Sequence, residues 1–187
     1  LLNAAVRCCN ISKATEIYRG MLNENIPMNT VLYTTLIKAY TKSKDLKSAL
    51  DVYSTMIKDN KINIVSINSI LDCCVECFNI NKMNEIYQDL KSNYESSSIK
   101  DAIKPDLITY STVIKGYSKV KNIDKVLEIY NFLIKNNDIY KVDEVTYNTV
   151  IDACVKNGLY DKASEIHENM VKDGVPKGKV TYCILMK

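Results

Sequence analysis

The sequence predicts an all-α protein, an α-α superhelix (solenoid) of stacked helical hairpins, and three observations predict it. Similar segments begin at residues 30, 64, 107, 144 and 179, spaced 34, 43, 37 and 35 residues apart, and self-similarity at that period marks a repeat architecture. Within each unit the apolar residues recur at offsets of three, four and seven, the signature of one helix face. With 5 Gly and 3 Pro in 187 residues, the chain has too few turn formers for a many-stranded sandwich or barrel.

The frame assigns a partial repeat to 1–29, whole repeats to 30–63, 64–106, 107–143 and 144–178, and the start of a further one to 179–187. The whole chain thus reads as a single repeat array. Residues 1–29 carry the second-helix pattern Ala14, Tyr18, Met21, in which spacings of four and three share a face. In 30–63 the first helix opens at Thr30-Val31-Leu32-Tyr33, a turn follows at Lys44-Asp45, and Ala49, Tyr53 and Met56 repeat the second-helix pattern. The repeat 64–106 opens at Ile64-Val65-Ser66-Ile67 and places Met83, Tyr87 and Leu90 in the same slots. Its extra length falls near 92–101, a serine-rich polar insertion expected to be a frayed helix end and a surface loop. In 107–143 the pattern is Leu107-Ile108-Thr109-Tyr110, then Val126, Tyr130 and Leu133. In 144–178 Tyr147, Val150, Ile151 and Cys154 form the first apolar face, Lys156-Asn157-Gly158 a turn, and Ala163, His167 and Met170 the second. Lys179-Val180-Thr181-Tyr182-Cys183 begins the pattern again. Each unit is a pair of helices, about eleven helices in all counting the partial repeats.

Composition narrows the function classes. No run of eighteen apolar residues is present, so no membrane-spanning helix is expected. Lys and Arg number 25 against 22 Asp and Glu, a balance that permits a nucleic-acid partner without requiring one. Seven cysteines are too few for a disulfide scaffold and point to reduced thiols. The chain opens on Leu1 inside an apolar helical pattern and reads as a fragment whose targeting segment lies elsewhere.

Candidate chemistry is sparse. Cys74-Val75-Glu76-Cys77 is a lone C-x-x-C beside Cys73, with no second pair to complete four zinc ligands. Together with Cys8 and Cys9 these thiols read as small buried apolar groups at helix ends. His167, the one histidine, occupies an aromatic packing slot. Asp72 and Asp152 are repeats apart and make no two-metal site. No nucleophile–base pair is found, so neither a catalytic residue, a metal, a cofactor nor a small-molecule substrate is expected.

Lys104-Pro105-Asp106-Leu107-Ile108-Thr109-Tyr110-Ser111 and Val145-Thr146-Tyr147-Asn148-Thr149-Val150-Ile151-Asp152, with Met or Leu three residues past the second-helix aromatic, resemble pentatricopeptide repeats of the P type. The resemblance runs over essentially the whole chain. It implies a protein that binds single-stranded RNA, one base per repeat, with two or three side chains reading each base. It also implies a mitochondrial or plastid location, and work in organellar RNA processing, stability or translation with other RNA-processing or ribonucleoprotein factors.

The same resemblance assigns base reading to the residue after the first-helix Tyr slot and to the last residue of the repeat. Those pairs are Thr34 with Asn63, Asn68 with Asp106, Ser111 with Asp143, and Asn148 with Gly178. Asn29 closes the first partial repeat and Cys183 opens the last one. The family's pairing rule then implies adenine, uracil and guanine in turn; Gly178 brings no side chain, leaving at most a pyrimidine preference at the fourth base. Val31, Val65, Ile108, Val145 and Val180, three residues before the reading position, are implied to clamp the bases. Arg7, Lys42, Lys119 and Lys156 recur eight residues after it, two helical turns along the same face, where a cation would meet phosphate. Glu76 breaks that row.

Each feature has a plainer explanation. The aliphatic row could be core between repeats, the lysines a solvated face, and Asn29, Asn63, Asp106 and Asp143 ordinary helix N-caps. The competing function is a tetratricopeptide-type scaffold holding a protein partner in its groove, disfavoured because bulkier residues replace that family's first-helix Gly. A third is a structural subunit of a ribonucleoprotein.

Overall fold

The computed structural model describes residues 11–24, 26–96 and 103–186; Arg7, Cys8 and Cys9 lie outside them. All regular structure among the described residues is helical. The chain divides into two compact units, Leu1–Lys104 and Pro105–Lys187.

The first unit contains α1 (Ile11–Asn23), α2 (Thr30–Ser43), α3 (Leu46–Lys58), α4 (Ile64–Glu76) and α5 (Ile80–Ser96). Helix α2 packs against α1, α3 and α4, and α4 packs in turn against α3 and α5. The second unit contains α6 (Leu107–Lys119), α7 (Ile123–Lys135), the single turn α8 (Asn137–Tyr140), α9 (Glu144–Lys156), α10 (Tyr160–Lys172) and α11 (Lys179–Leu185). Helix α9 is its centre, touching α6, α7, α10 and α11. In both units the first helices of successive hairpins lie side by side, with the second helices packed behind them.

The helix starts are set by side-chain caps. Asn29, Asn63, Asp106 and Asp143 accept from the backbone N–H of Leu32, Ser66, Thr109 and Thr146, satisfying donors a helix cannot satisfy internally. The turn inside each hairpin repeats as well. Lys44, Phe78, Lys121 and Gly158 all have positive φ, each two residues before the next helix. The residue after each donates its N–H five residues back, to Tyr40, Cys74, Tyr117 and Cys154, closing the helix end. Only one of the four is Gly, so Lys44, Phe78 and Lys121 hold the left-handed conformation against an ordinary cost of about 1 kcal/mol each.

The core follows the repeat. Leu36 and Ile37, Ile70 and Leu71, Val113 and Ile114, and Val150 and Ile151 occupy matching slots and are fully buried, as are Ala49, Met83 and Val126 behind them. Tyr33 donates to Asp59 Oδ2 at 2.5 Å and Tyr147 to Asp173 Oδ2 at 2.6 Å, tying a first helix to the end of its own hairpin. Burial first, then the neighbouring carboxylate, pushes both phenols well above their usual range. In the repeat between, Tyr110 packs its ring on Phe132 and Tyr140 at 5.3 and 5.2 Å, and the extra turn α8 delivers Tyr140. That turn was not visible in the repeat frame. The serine-rich insertion begins helical, since α5 runs to Ser96; 97–102 lie outside the described residues.

Cys73, Cys74 and Cys154 are buried thiols, pushed up to about 12, 12 and 11 chiefly by burial. They pack as small apolar groups rather than as ready thiolates. His167 is half-buried, its Nε2 enclosed without a hydrogen-bond partner.

Candidate nucleic-acid interface

The aliphatic row is not core. Val31, Val65, Ile108, Val145 and Val180 are 64, 51, 62, 66 and 59% exposed, whereas Leu36, Ile70, Val113, Val150 and Ile184 on the same helices are buried. Water gains nothing from five β-branched side chains standing out at one repeat slot, so these positions are surface available to a flat apolar partner. The residues expected to read bases, one turn along, are the reverse: Thr34, Asn68 and Asn148 are polar yet 8, 8 and 7% exposed. Ser111 is half-buried, and Cys183 is exposed.

The N-cap geometry decides how the residues expected to pair in base reading meet. In the second unit Ser111 Oγ lies 2.7 Å from Thr146 Oγ1, which donates to Asp143 Oδ1 at 2.7 Å. Ser111 Oγ is also 2.8 Å from the Leu107 carbonyl oxygen. Two hydroxyl protons serve these three contacts, so Ser111 can donate either to Leu107 or to Thr146. When it donates, its lone pairs are left to accept from a base. The structure therefore brings Ser111 and Asp143 into one hydroxyl–carboxylate chain through Thr146, a residue the sequence reasoning overlooked.

The Asn148 and Gly178 pair is joined differently. Glu144 Oε1 accepts from Gly178 N at 3.1 Å and from Asn148 Nδ2 at 3.4 Å. Asn148 Oδ1 is buried and accepts no hydrogen bond. In the first unit Thr34 Oγ1 donates back to the Thr30 carbonyl at 2.7 Å, and Asn63 Oδ1 holds Ser66 N at 2.9 Å. Asn68 belongs to the first unit and Asp106 to the second. Asn29, like Asn63, Asp106 and Asp143, works as a cap, through Leu32 N at 2.9 Å.

In the second unit a cavity of about 680 Å³ is lined by Glu144, Val145, Asn148 and Val180 together with Lys115, Lys119, Asp152 and Lys156. Lys156 is paired with Asp152 at 2.5 Å, one helical turn away, which offsets part of its charge. Lys119 is half-buried and Lys42 exposed. Lys115 was not singled out from the sequence because its slot is shared with Asp72 and Asp152; only the cavity shows it beside Lys119.

Three stretches match repeat families: residues 16–77 the pentatricopeptide repeat domain, 108–138 the PPR repeat, and 142–187 the PPR repeat family. The chain is a pentatricopeptide repeat protein. Two chloroplastic pentatricopeptide repeat-containing proteins of Arabidopsis thaliana are similar to it. One is 32% identical over 91 residues, 48% of this chain and 12% of the relative. The other is 25% identical over 117 residues, 62% and 22%. The small ribosomal subunit protein mL103 of the same plant is 23% identical over 124 residues, 66% and 29%. The pentatricopeptide repeat chain thus spans less than a third of each of these relatives.

Solved structures share the fold. Maize PPR10 superposes with a TM-score of 0.80 at 19% identity, covering 99% of this chain and 25% of that one. PPR10 in complex with an 18-nt psaJ RNA element gives 0.76 at 20% identity, over 98% and 26%. The PPR domain of Arabidopsis thaliana protein-only RNase P 1 in complex with tRNA gives 0.75 at 14% identity, over 99% and 93%.

Proposed function

We propose that this pentatricopeptide repeat chain binds single-stranded RNA along the face of its first helices, one base per repeat, in the order adenine, uracil, guanine, pyrimidine. The observation that carries the reading is the row of exposed aliphatic side chains, Val31, Val65, Ile108, Val145 and Val180, each one turn before a buried polar reader or its equivalent. An apolar slot accepts either face of a base, and the amide, hydroxyl and carboxylate groups beside it address the Watson–Crick edge. The cations at Lys42, Lys115, Lys119 and Lys156 supply the phosphate attraction. Two similar folds are solved with RNA bound, which supports the same partner class here. No catalytic step is assigned to these residues; the activity proposed is binding, in organellar RNA processing, stability or translation, and the chloroplastic relatives support that setting.

The test is a titration against short single-stranded RNAs of randomised sequence at two salt concentrations. Four or five phosphate contacts should give a slope of log affinity on log salt of about −3, at roughly −0.7 per contact for a single strand. Selection of the order above with that slope supports the reading; binding without salt dependence would favour the protein-partner scaffold. A ribonucleoprotein subunit is the second reading, favoured by the similarity to mL103, and co-sedimentation with ribosomal particles tests it.

A further inference from the structure

The last complete reading pair lacks a side chain at Gly178, yet the space is filled. A Cβ placed on Gly178 would fall 2.2 Å from Glu144 Oε1 and 3.2 Å from Glu144 Cδ. The Glu144 carboxyl group therefore stands where the side chain of a repeat-ending Asn or Asp begins. Gly178 has no side chain to cap α11, and its own N–H donates to Glu144 Oε1. The second observation is Asn148, 7% exposed, whose Nδ2 donates to the same carboxylate oxygen while Oδ1 is enclosed without a donor. The Glu144 carboxylate and the Asn148 amide both line the open cavity.

We infer that Glu144 is a specificity-determining residue: its carboxylate replaces the missing Gly178 side chain, pairs with the Asn148 amide, and selects uracil over cytosine at the fourth base. This deepens the proposed function and rests on it. The chemistry is that of Asn68 with Asp106, an amide and a carboxylate, reached by a different covalent route. Uracil presents N3–H between two carbonyl oxygens, so the carboxylate accepts N3–H while Asn148 Nδ2 donates to a carbonyl. Cytosine in the same register turns the N3 lone pair toward the carboxylate, where two acceptors repel. Glu144 reaches the site because it is the residue after the Asp143 cap, one helical turn before Asn148, and the absent Cβ of Gly178 leaves it room.

The experiment compares short single-stranded RNAs carrying AUGU, AUGC and AUUU, titrated by NMR into the 187-residue chain and its variants. The wild-type chain should favour AUGU over AUGC roughly tenfold, the size of one mismatched base. Glu144→Gln keeps an acceptor for Gly178 N but offers cytosine N3 a donor, so the ratio should fall to one or invert while the melting temperature stays put. Gly178→Ala, which pushes the carboxylate aside, should lower the ratio without touching Glu144 itself. Glu144→Ala combined with Gly178→Asp should restore it. An unchanged ratio in Glu144→Gln and Gly178→Ala, with AUGU still preferred to AUUU, overturns the role of Glu144 and leaves the proposed function standing. Equal binding of all three RNAs by the wild-type chain, or none, overturns both.

Discussion

Two neighbouring sites in the second unit occupy the same place in their repeats and are built from different parts. At the first, Asp143 caps α9 and reaches Ser111 through the Thr146 hydroxyl. At the second, Gly178 holds the cap position without a side chain, and Glu144 bonds to its N–H and to Asn148. The comparison teaches that a carboxylate can be held beside the reading position in two ways: Asp143 by accepting from Thr146 N in the first turn of α9, Glu144 by accepting from the N–H of Gly178 just before α11. One acceptor comes from the cap residue; the other arrives from the first turn of α9, two helices back.

The largest expected effect removes what the two sites share. Both stand on α9, whose Ile151 is fully buried. Ile151→Ala should cost about 2–5 kcal/mol in denaturant unfolding and weaken binding at both sites together. Loss at one site alone would mean the two do not share a framework.

The next variant should move the sites apart in specificity. Ser111→Asn at the first site recreates the amide–carboxylate pair, so its preference should pass from guanine to uracil, by about 1–3 kcal/mol. The second site should not change. A uniform loss of affinity for AUGU and AUUU would sink the assignment of Ser111 as a reader. Ile108→Asp serves as the control: it should weaken every RNA, with roughly 1–3 kcal/mol at stake for a stacked base.

Capping gives a smaller contrast. Asp143→Ala removes the acceptor from Thr146 N and should cost about 1 kcal/mol of stability, measured by thermal or urea unfolding. Glu144→Ala exposes the Gly178 N–H to water at an end of the chain's last described helix, and should cost a few tenths only. Equal costs would show that Glu144 is as structural as Asp143.

The smallest effect concerns salt. Lys42→Ala should reduce the salt slope by about 0.7, one phosphate contact. Lys156→Ala should reduce it less, because Asp152 already holds that ammonium at 2.5 Å. Identical changes in slope would mean that the ion pair opens on binding.

The sequence by itself determined the helices and their registry. Leu36, Ile70, Val113 and Val150 recur at one slot because a hairpin can bury its apolar face only against the next, and that demand writes a period into the chain. The caps Asn29, Asn63, Asp106 and Asp143 were equally legible, since an acceptor is needed wherever a helix begins. The exposed row could be named but not interpreted: Val145 and Ile151 are both β-branched and helical, and only the packing leaves one 66% exposed and the other buried. Tertiary structure alone decided the connections between repeats. Thr146 carries no role in the sequence pattern until Ser111, 35 residues away, is found 2.7 Å from it. Lys156 reads as a cation in a row until Asp152 turns toward it. Gly178 reads as a missing side chain until the carboxylate of Glu144, 34 residues earlier, is found in its place. The physical reason is common to all three. Periodicity reports the packing that every repeat must satisfy, whereas a hydrogen bond between repeats depends on which side chain happens to reach a vacant donor in three dimensions.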